Sequence, residues 1–203
     1  MGHFFTSEMK HMTLRIGFLR HGQTDWNLEF RLQGISDIPL NETGRTQALS
    51  ASEQLADRNW QVVTSSPLSR AVETATIISE QLGLGEVVQY SQLLERSFGE
   101  AEGLTYQEWR DRYQSGALAK EAESLEDLHQ RAQVCLDHFA KTYSNQNILA
   151  VSHGAFIRKI VNIVSDQKLP KDGDRFSNLS MTILSFDGES WSIESYEPGS
   201  LAR

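Results

Sequence analysis

The chain has 203 residues, 39% of them hydrophobic and 23% charged, with a formal net charge of −8 at pH 7. That length suits one domain with a sizeable apolar core. The acidic balance weighs against nucleic acid or an anionic membrane as partner, since either is repelled over most of the surface. A small anionic substrate is admissible where Arg and His cluster locally. The single cysteine, Cys135, excludes an intrachain disulfide, and a reducing, cytoplasmic setting is the default. No apolar run approaches the roughly 18 residues of a membrane span. Residues 1–12 (MGHFFTSEMKHM) lack the apolar stretch of a secretory signal and read as a flexible extension ahead of a single domain over 13–203.

In chain order, LRIGFL (14–19) is a short apolar run of the kind buried on both faces of a sheet. Asn41 caps a helix running to about Arg58, and QVVT (61–64) is a weaker strand. Ser66 reads as an N-cap with Pro67 at the first helical position, followed by the stripe Leu68, Ala71, Val72, Ala75, Ile78 and Leu82. Ser124 and Asp127 open another helix in capping-box style, with Leu125, Leu128, Ala132, Cys135, Leu136 and Phe139 on its apolar face. ILAV (148–151) is a further buried strand. The helix after His153 turns Phe156, Ile157, Ile160, Val161 and Val164 inward. MTILSF and WSIESY flank Asp187-Gly188, a hairpin signal. Strands alternating with helices predict a three-layer α/β/α sandwich, with a mostly parallel central sheet and at least one antiparallel strand from the hairpin.

In open α/β sheets ligands bind beyond the carboxyl ends of the strands. Arg20-His21-Gly22 follows the first strand, Ser65-Ser66 and then Arg70 follow the second, and Ser152-His153-Gly154 follows a third. Two imidazoles and two guanidiniums are thereby expected at one end of the sheet, with Gly22 and Gly154 letting the backbone turn sharply or approach a ligand closely. The helix after His153 is expected to point its N-terminal N–H groups at the same place. Such a pocket suits a tetrahedral dianion: guanidinium forks match phosphate oxygens, and an imidazole among them can attack phosphorus and hold the phosphoryl group.

FLRHGQTDWN, QGISDIPLNETG, SSPLSRAVETA, LLERSFGEAEG and VSHGAFIR, in that order, resemble the successive motifs of the histidine phosphatase superfamily, which has the phosphoglycerate-mutase-like fold. The likeness runs from about residue 14 to the final hairpin. It implies that His21 is the nucleophile that becomes phosphohistidine and that Arg20, Arg70 and His153 hold the phosphoryl oxygens. Gln23, Thr24 and Asn27 would complete the cradle, and Gln33, Gly34 and Gly154 would approach the substrate. Glu95 would give a proton to the leaving oxygen and then activate water. The resemblance implies neither metal nor other cofactor, since the cationic side chains do the work that Mg²⁺ does in other phosphoryl-transfer sites. The implied partner is a small phosphorylated metabolite.

Two departures bear on the reaction. Gln23 stands where Glu is more common in the family, and Ala101 stands where an aromatic residue is common, which would loosen packing near the site. ERSFGEAEG differs from the Glu-Arg-His-Tyr-Gly of the family's mutases and is closer to its phosphatases. Only residues 104–123 separate Gly103 from Ser124, a shorter lid than in mutases, and a short lid leaves a phosphoenzyme open to water. Leu104, Tyr106, Trp109 and Tyr113 are candidate apolar lid residues, though helix-core packing is the favoured role for them. A small-phosphomonoester phosphatase is expected, with a phosphoglycerate mutase, a phosphoprotein phosphatase and a non-catalytic phosphate-binding relative as alternatives. His3, His11, His129 and His138 show no metal-ligand spacing.

Overall fold

The computed structural model describes residues 13–113 and 117–202. The extension expected over 1–12, with His3 and His11, lies outside them. Six strands form one sheet: β1 (Leu14–Arg20), β2 (Val62–Ser65), β3 (Val88–Gln89), β4 (Asn147–Ser152), β5 (Ser180–Phe186) and β6 (Trp191–Ser200). Their order is β3-β2-β4-β1-β5-β6, parallel except for β5, which runs antiparallel to both of its neighbours. The helices are α1 (Asp25–Leu28), α2 (Glu42–Leu55), α3 (Ser69–Leu82), α4 (Tyr106–Arg112), α5 (Leu125–Thr142) and α6 (Gly154–Val164).

The alternation of β-structure accounts for the unbroken apolar runs. Ile16 and Phe18 of β1 and Ile148 and Ala150 of β4 pack with Leu128, Ala132, Cys135, Leu136 and Phe139 of α5 and Phe156, Ile157, Ile160 and Val161 of α6. The intervening residues, Leu19, Leu149 and Val151, face Ala51 and Leu55 of α2 and Ala71, Ala75 and Ile78 of α3. A strand with helices on both faces has no polar side to show, so sandwich and hydrophobic run imply each other. Cys135 belongs to this core, and burial pushes its thiol pKa up.

Caps set the helix starts. Asn41 Oδ1 accepts from the Gly44 N–H at 2.9 Å and Ser124 Oγ from the Asp127 N–H at 3.0 Å, as their spacing implied. The expectation for Ser66 fails. Helix α3 begins at Ser69 after an extended Leu68, because the Ser69 N–H and hydroxyl both donate to Asp37, at 2.7 and 2.8 Å. A carboxylate 32 residues upstream does the capping. Leu125 also departs from its stripe: as the first residue of α5 it points outward, 58% exposed. Strand β3, only two residues long, has no counterpart in the apolar pattern, since both of its residues are exposed.

Register determines what meets at the carboxyl end of the sheet. Arg20 of β1 lies opposite Ser152 of β4, and Ser65 of β2 lies opposite Val151. The ladder continues one step further, with the His21 N–H donating to the Ser152 carbonyl and the Ser66 N–H to that of Val151, both at 3.0 Å. His21 and His153 therefore leave adjacent parallel strands at the same level.

Candidate active site

His21 is 3% exposed and its ring centroid lies 5.0 Å from that of His153, which is fully buried. His21 Nδ1–H donates to the Gly22 carbonyl at 2.7 Å. A carbonyl can only accept, so this bond fixes the tautomer and leaves the lone pair on Nε2. Arg70 Nε donates to that Nε2 at 3.3 Å. The backbone after His21 is pinned: the Gly22 N–H donates to Thr74 Oγ1 at 3.0 Å, and a Cβ on Gly22 would stand 2.6 Å from the Gly44 carbonyl oxygen. Close approach of α2 is what requires glycine there. Gly154, by contrast, would place a Cβ 3.6 Å from Arg20 Nε, an ordinary contact, so the protein's own packing does not demand glycine there.

Arg70 is fully buried, and its fork is held from behind by two carbonyls: Nη1 donates to Ser36 at 2.8 Å and Nη2 to Gly34 at 2.7 Å. The chain can present both carbonyls because Gly34 adopts φ +53°, in the left-handed region. Glu102 closes that loop, accepting from the backbone N–H groups of Ile35, Ser36 and Phe98 at 3.0, 2.8 and 3.0 Å. Arg20 at the end of β1 gives Nη1 to the Phe176 carbonyl at 2.5 Å, while its Nε is buried without a partner. Both ring nitrogens of His153 and Oε1 of Gln33 are likewise buried and unpartnered. Buried polar groups are seldom left so, and several together mark a place shaped for something that bonds them.

The Glu95 carboxylate sits on the N-terminus of α6. Oε2 accepts from the Ala155 N–H at 3.0 Å; Oε1 accepts from the Phe156 and Arg96 N–H groups at 3.0 and 2.9 Å. This revises the expectation for α6: its first N–H groups are given to Glu95. The N-cap residue His153 supplies no side-chain cap, so a carboxylate from elsewhere satisfies those donors and the helix dipole. Oε2 keeps room for a further bond.

Burial, then the charge of Arg70 and Arg20, lowers the His21 pKa well below its ordinary value. Burial, then Arg70 and His21, does the same for His153. Both imidazoles are neutral at neutral pH. Desolvation pushes the Arg70 pKa down to about 10 against the attraction of Glu95, and lowers that of Arg20 against Glu95 and Tyr106. The cluster thus gathers two guanidiniums, two neutral imidazoles and one carboxylate.

Thr24 and Asn27 form a reciprocal capping box on α1, their N–H and side-chain oxygens paired at 3.2 Å each way. Gln23 Oε1 accepts from Asn41 Nδ2 at 3.1 Å. Ala101 is fully buried with Leu32 and Ala119 in a small cluster, so packing there is closed and not loosened. Leu104, Trp109 and Tyr113 pack on the same cluster, whereas Tyr106 is 53% exposed and lies near Arg20. Asn178 escaped the sequence reading. Its Nδ2 donates to the carbonyls of His21 and Gly22 and to Asn27 Oδ1, at 2.9, 3.1 and 3.1 Å, tying the loop before β5 to the turn after β1. An asparagine in an irregular loop carries no periodic signal that would have singled it out.

A family model described as histidine phosphatase superfamily (branch 1) matches residues 16–198. The chain is 37% identical over 178 residues to the uncharacterized phosphatase PhoE of Bacillus subtilis, covering 88% of this chain and 91% of that one. It is 32% identical over 189 residues to phosphoglycerate mutase-like protein 4 of Arabidopsis thaliana, covering 87% and 81%. Among solved structures it is similar to a mycobacterial glucosyl-3-phosphoglycerate phosphatase in complex with VO3, with a TM-score of 0.78 and 30% identity, covering 90% of this chain and 98% of that one.

Proposed function

The chain belongs to the histidine phosphatase superfamily, branch 1, and from that membership we propose that it hydrolyses small phosphomonoesters, without a metal, through a phosphohistidine on His21. One observation carries this reading: the Nε2 lone pair of His21 is set by the bond of Nδ1 to Gly22, and unpartnered buried donors of Arg20 and His153 gather with Arg70 around it.

In the first step the Nε2 lone pair attacks phosphorus and the bond from phosphorus to the ester oxygen breaks. A proton held on Glu95 Oε2, the oxygen with a single protein partner, passes to the leaving oxygen. Arg20, Arg70 and His153 hold the three equatorial oxygens and stabilise their charge in the loose transition state. In the second step water attacks phosphorus on the opposite side, giving its proton to the Glu95 carboxylate, and the bond from Nε2 to phosphorus breaks. Gln23, Thr24, Asn27, Gln33, Gly34 and Gly154 border the substrate, the first three chiefly by fixing the turn after β1. The short cap over residues 104–123 favours water over a second sugar or glycerate hydroxyl as acceptor.

Rapid quenching during turnover tests this. The expected result is an alkali-stable, acid-labile phosphoenzyme that is absent in His21→Ala, with turnover unaffected by EDTA. EDTA-sensitive turnover without any adduct overturns the reading. Exchange between 2- and 3-phosphoglycerate, followed by NMR, would replace phosphatase by mutase.

A further inference from the structure

Arg131 lies on α5, outside the cluster that surrounds His21, yet its side chain is more fully engaged than any surface ion pair requires. Nε and Nη2 form a fork on the Glu123 carboxylate, both bonds 2.7 Å, with the two side chains 17% and 16% exposed. Nη1 donates to the carbonyls of Gln92 and Leu94, each at 2.8 Å, and Nη2 also donates to the carbonyl of Glu95 at 3.3 Å. A guanidinium has five N–H groups, and these five bonds use them all. Its face lies over the ring of Phe156, 4.9 Å from the centroid. The Phe156 N–H is one of the two that hold Glu95 Oε1, the other being that of Arg96.

One guanidinium therefore grips the main chain of the 92–95 strap and packs on a residue that holds the Glu95 carboxylate. Neighbouring bonds close the frame. Arg96 Nε donates to the Glu123 carbonyl at 2.9 Å, and the hydroxyl of Ser152, at the end of β4, donates to the Leu93 carbonyl at 2.7 Å. We propose that Arg131, clamped by Glu123, is the positioning residue that holds Glu95 in register for proton transfer. Arg131 touches no reacting atom. Its charge also contributes, after burial, Arg70, His21 and Arg20, to the lowered His153 pKa. The proposed positioning, however, acts through Glu95 and so rests on the reading of Glu95 as general acid. A misplacement of about 1 Å in such a group costs on the order of 10²-fold in rate.

The test is the dependence of kcat/KM on the leaving group, for a pair of substrates that report the first chemical step. An alkyl phosphate such as glycerol 3-phosphate needs a proton on its leaving oxygen; 2,4-dinitrophenyl phosphate does not. Arg131→Met and Glu123→Gln are expected to lower kcat/KM roughly 10- to 100-fold for the alkyl ester and by less than about 3-fold for the dinitrophenyl ester. Arg131→Lys keeps the charge, but its three donors cannot meet five acceptors, so it shows the same selectivity at smaller size. That variant and Glu123→Gln carry the test if the Met variant does not fold. A merely structural role lowers both substrates equally and overturns the proposal. Glu95→Gln, measured alongside, separates the two claims. If it shows the selectivity and the Arg131 and Glu123 variants do not, the positioning role fails and the general acid stands. If Glu95→Gln is unselective, the general-acid reading itself fails.

Discussion

At the carboxyl end of the sheet His21, Arg70 and His153 sit on strand ends and a helix start, at 3%, 0% and 0% exposure. The cap over residues 104–113 and 117–122 instead rests on a small cluster of Leu32, Ala101 and Ala119 and leaves Tyr106 53% and Leu118 51% exposed. The first region inherits its geometry from the parallel ladder of β1, β2 and β4 and from helices packed on both faces. The second is strapped on by a few bonds, among them Tyr106 N–H to the Phe30 carbonyl at 3.1 Å and Leu32 N–H to that of Leu104 at 2.9 Å. Regions with few buried contacts open at lower free energy than a sheet core. On the proposed reading, the phosphoryl chemistry lies where the fold is stiffest and the choice of substrate lies in the cap, where it is easiest to alter.

Breaking the rigid region carries the largest expected effect. Arg70→Met removes a guanidinium that, on the proposed reading, holds the phosphoryl group, and leaves the Gly34 and Ser36 carbonyls without their donor. Steady-state kinetics are expected to show kcat/KM lower by about 10²- to 10³-fold for every phosphomonoester tried. A loss confined to some substrates would place Arg70 in recognition instead.

The buried imidazoles give an effect of intermediate size, read through pH. Their pKa values are lowered in the folded chain, first by burial and then by the arginines. The unfolded chain takes up protons as pH falls through about 6.5, before the folded chain does. Their stabilising contribution is therefore complete above that pH and declines below it, by up to about 1.4 kcal/mol per pH unit for each group. Thermal melts between about pH 7 and pH 5 are expected to fall less steeply in His153→Gln than in the parent protein. The acid limb of kcat/KM, set by protonation of His21, is expected below about pH 6.5.

Tyr106→Ala sharpens the comparison from the other side and is the smallest effect. It removes an exposed ring near Arg20, and KM is expected to rise by roughly 2- to 10-fold, to an extent that varies with the substrate, while kcat stays within about 2-fold. Equal loss of kcat for all substrates would make the cap part of the chemistry.

The same contrast explains what could be read from the sequence. Strands buried on both faces show as unbroken apolar runs, and α5 shows a 3.6-residue stripe, so the sandwich and the strand ends bearing Arg20, His21 and His153 were legible. Groups that act across loops were not. Asp37 capping α3, Glu102 closing the 34–36 loop, Asn178 on the turn after His21 and Arg131 on the Glu95 strap each work through a partner distant in the chain. No local pattern distinguishes such a side chain from a solvated one. Ser66 misled for the same reason: the local cap was plausible, and Asp37 supplied a better one.

We expect Nε2 of His21, unprotonated, to face a phosphoryl group held by Arg20, Arg70 and His153. A crystal structure with vanadate tests it most directly. The expected complex has vanadium bonded to Nε2 of His21, its equatorial oxygens on Arg20, Arg70 and His153, and Glu95 Oε2 at the apical oxygen. Vanadate bound elsewhere, or a His21 ring that keeps Nε2 turned away from it, would rule His21 out as the nucleophile.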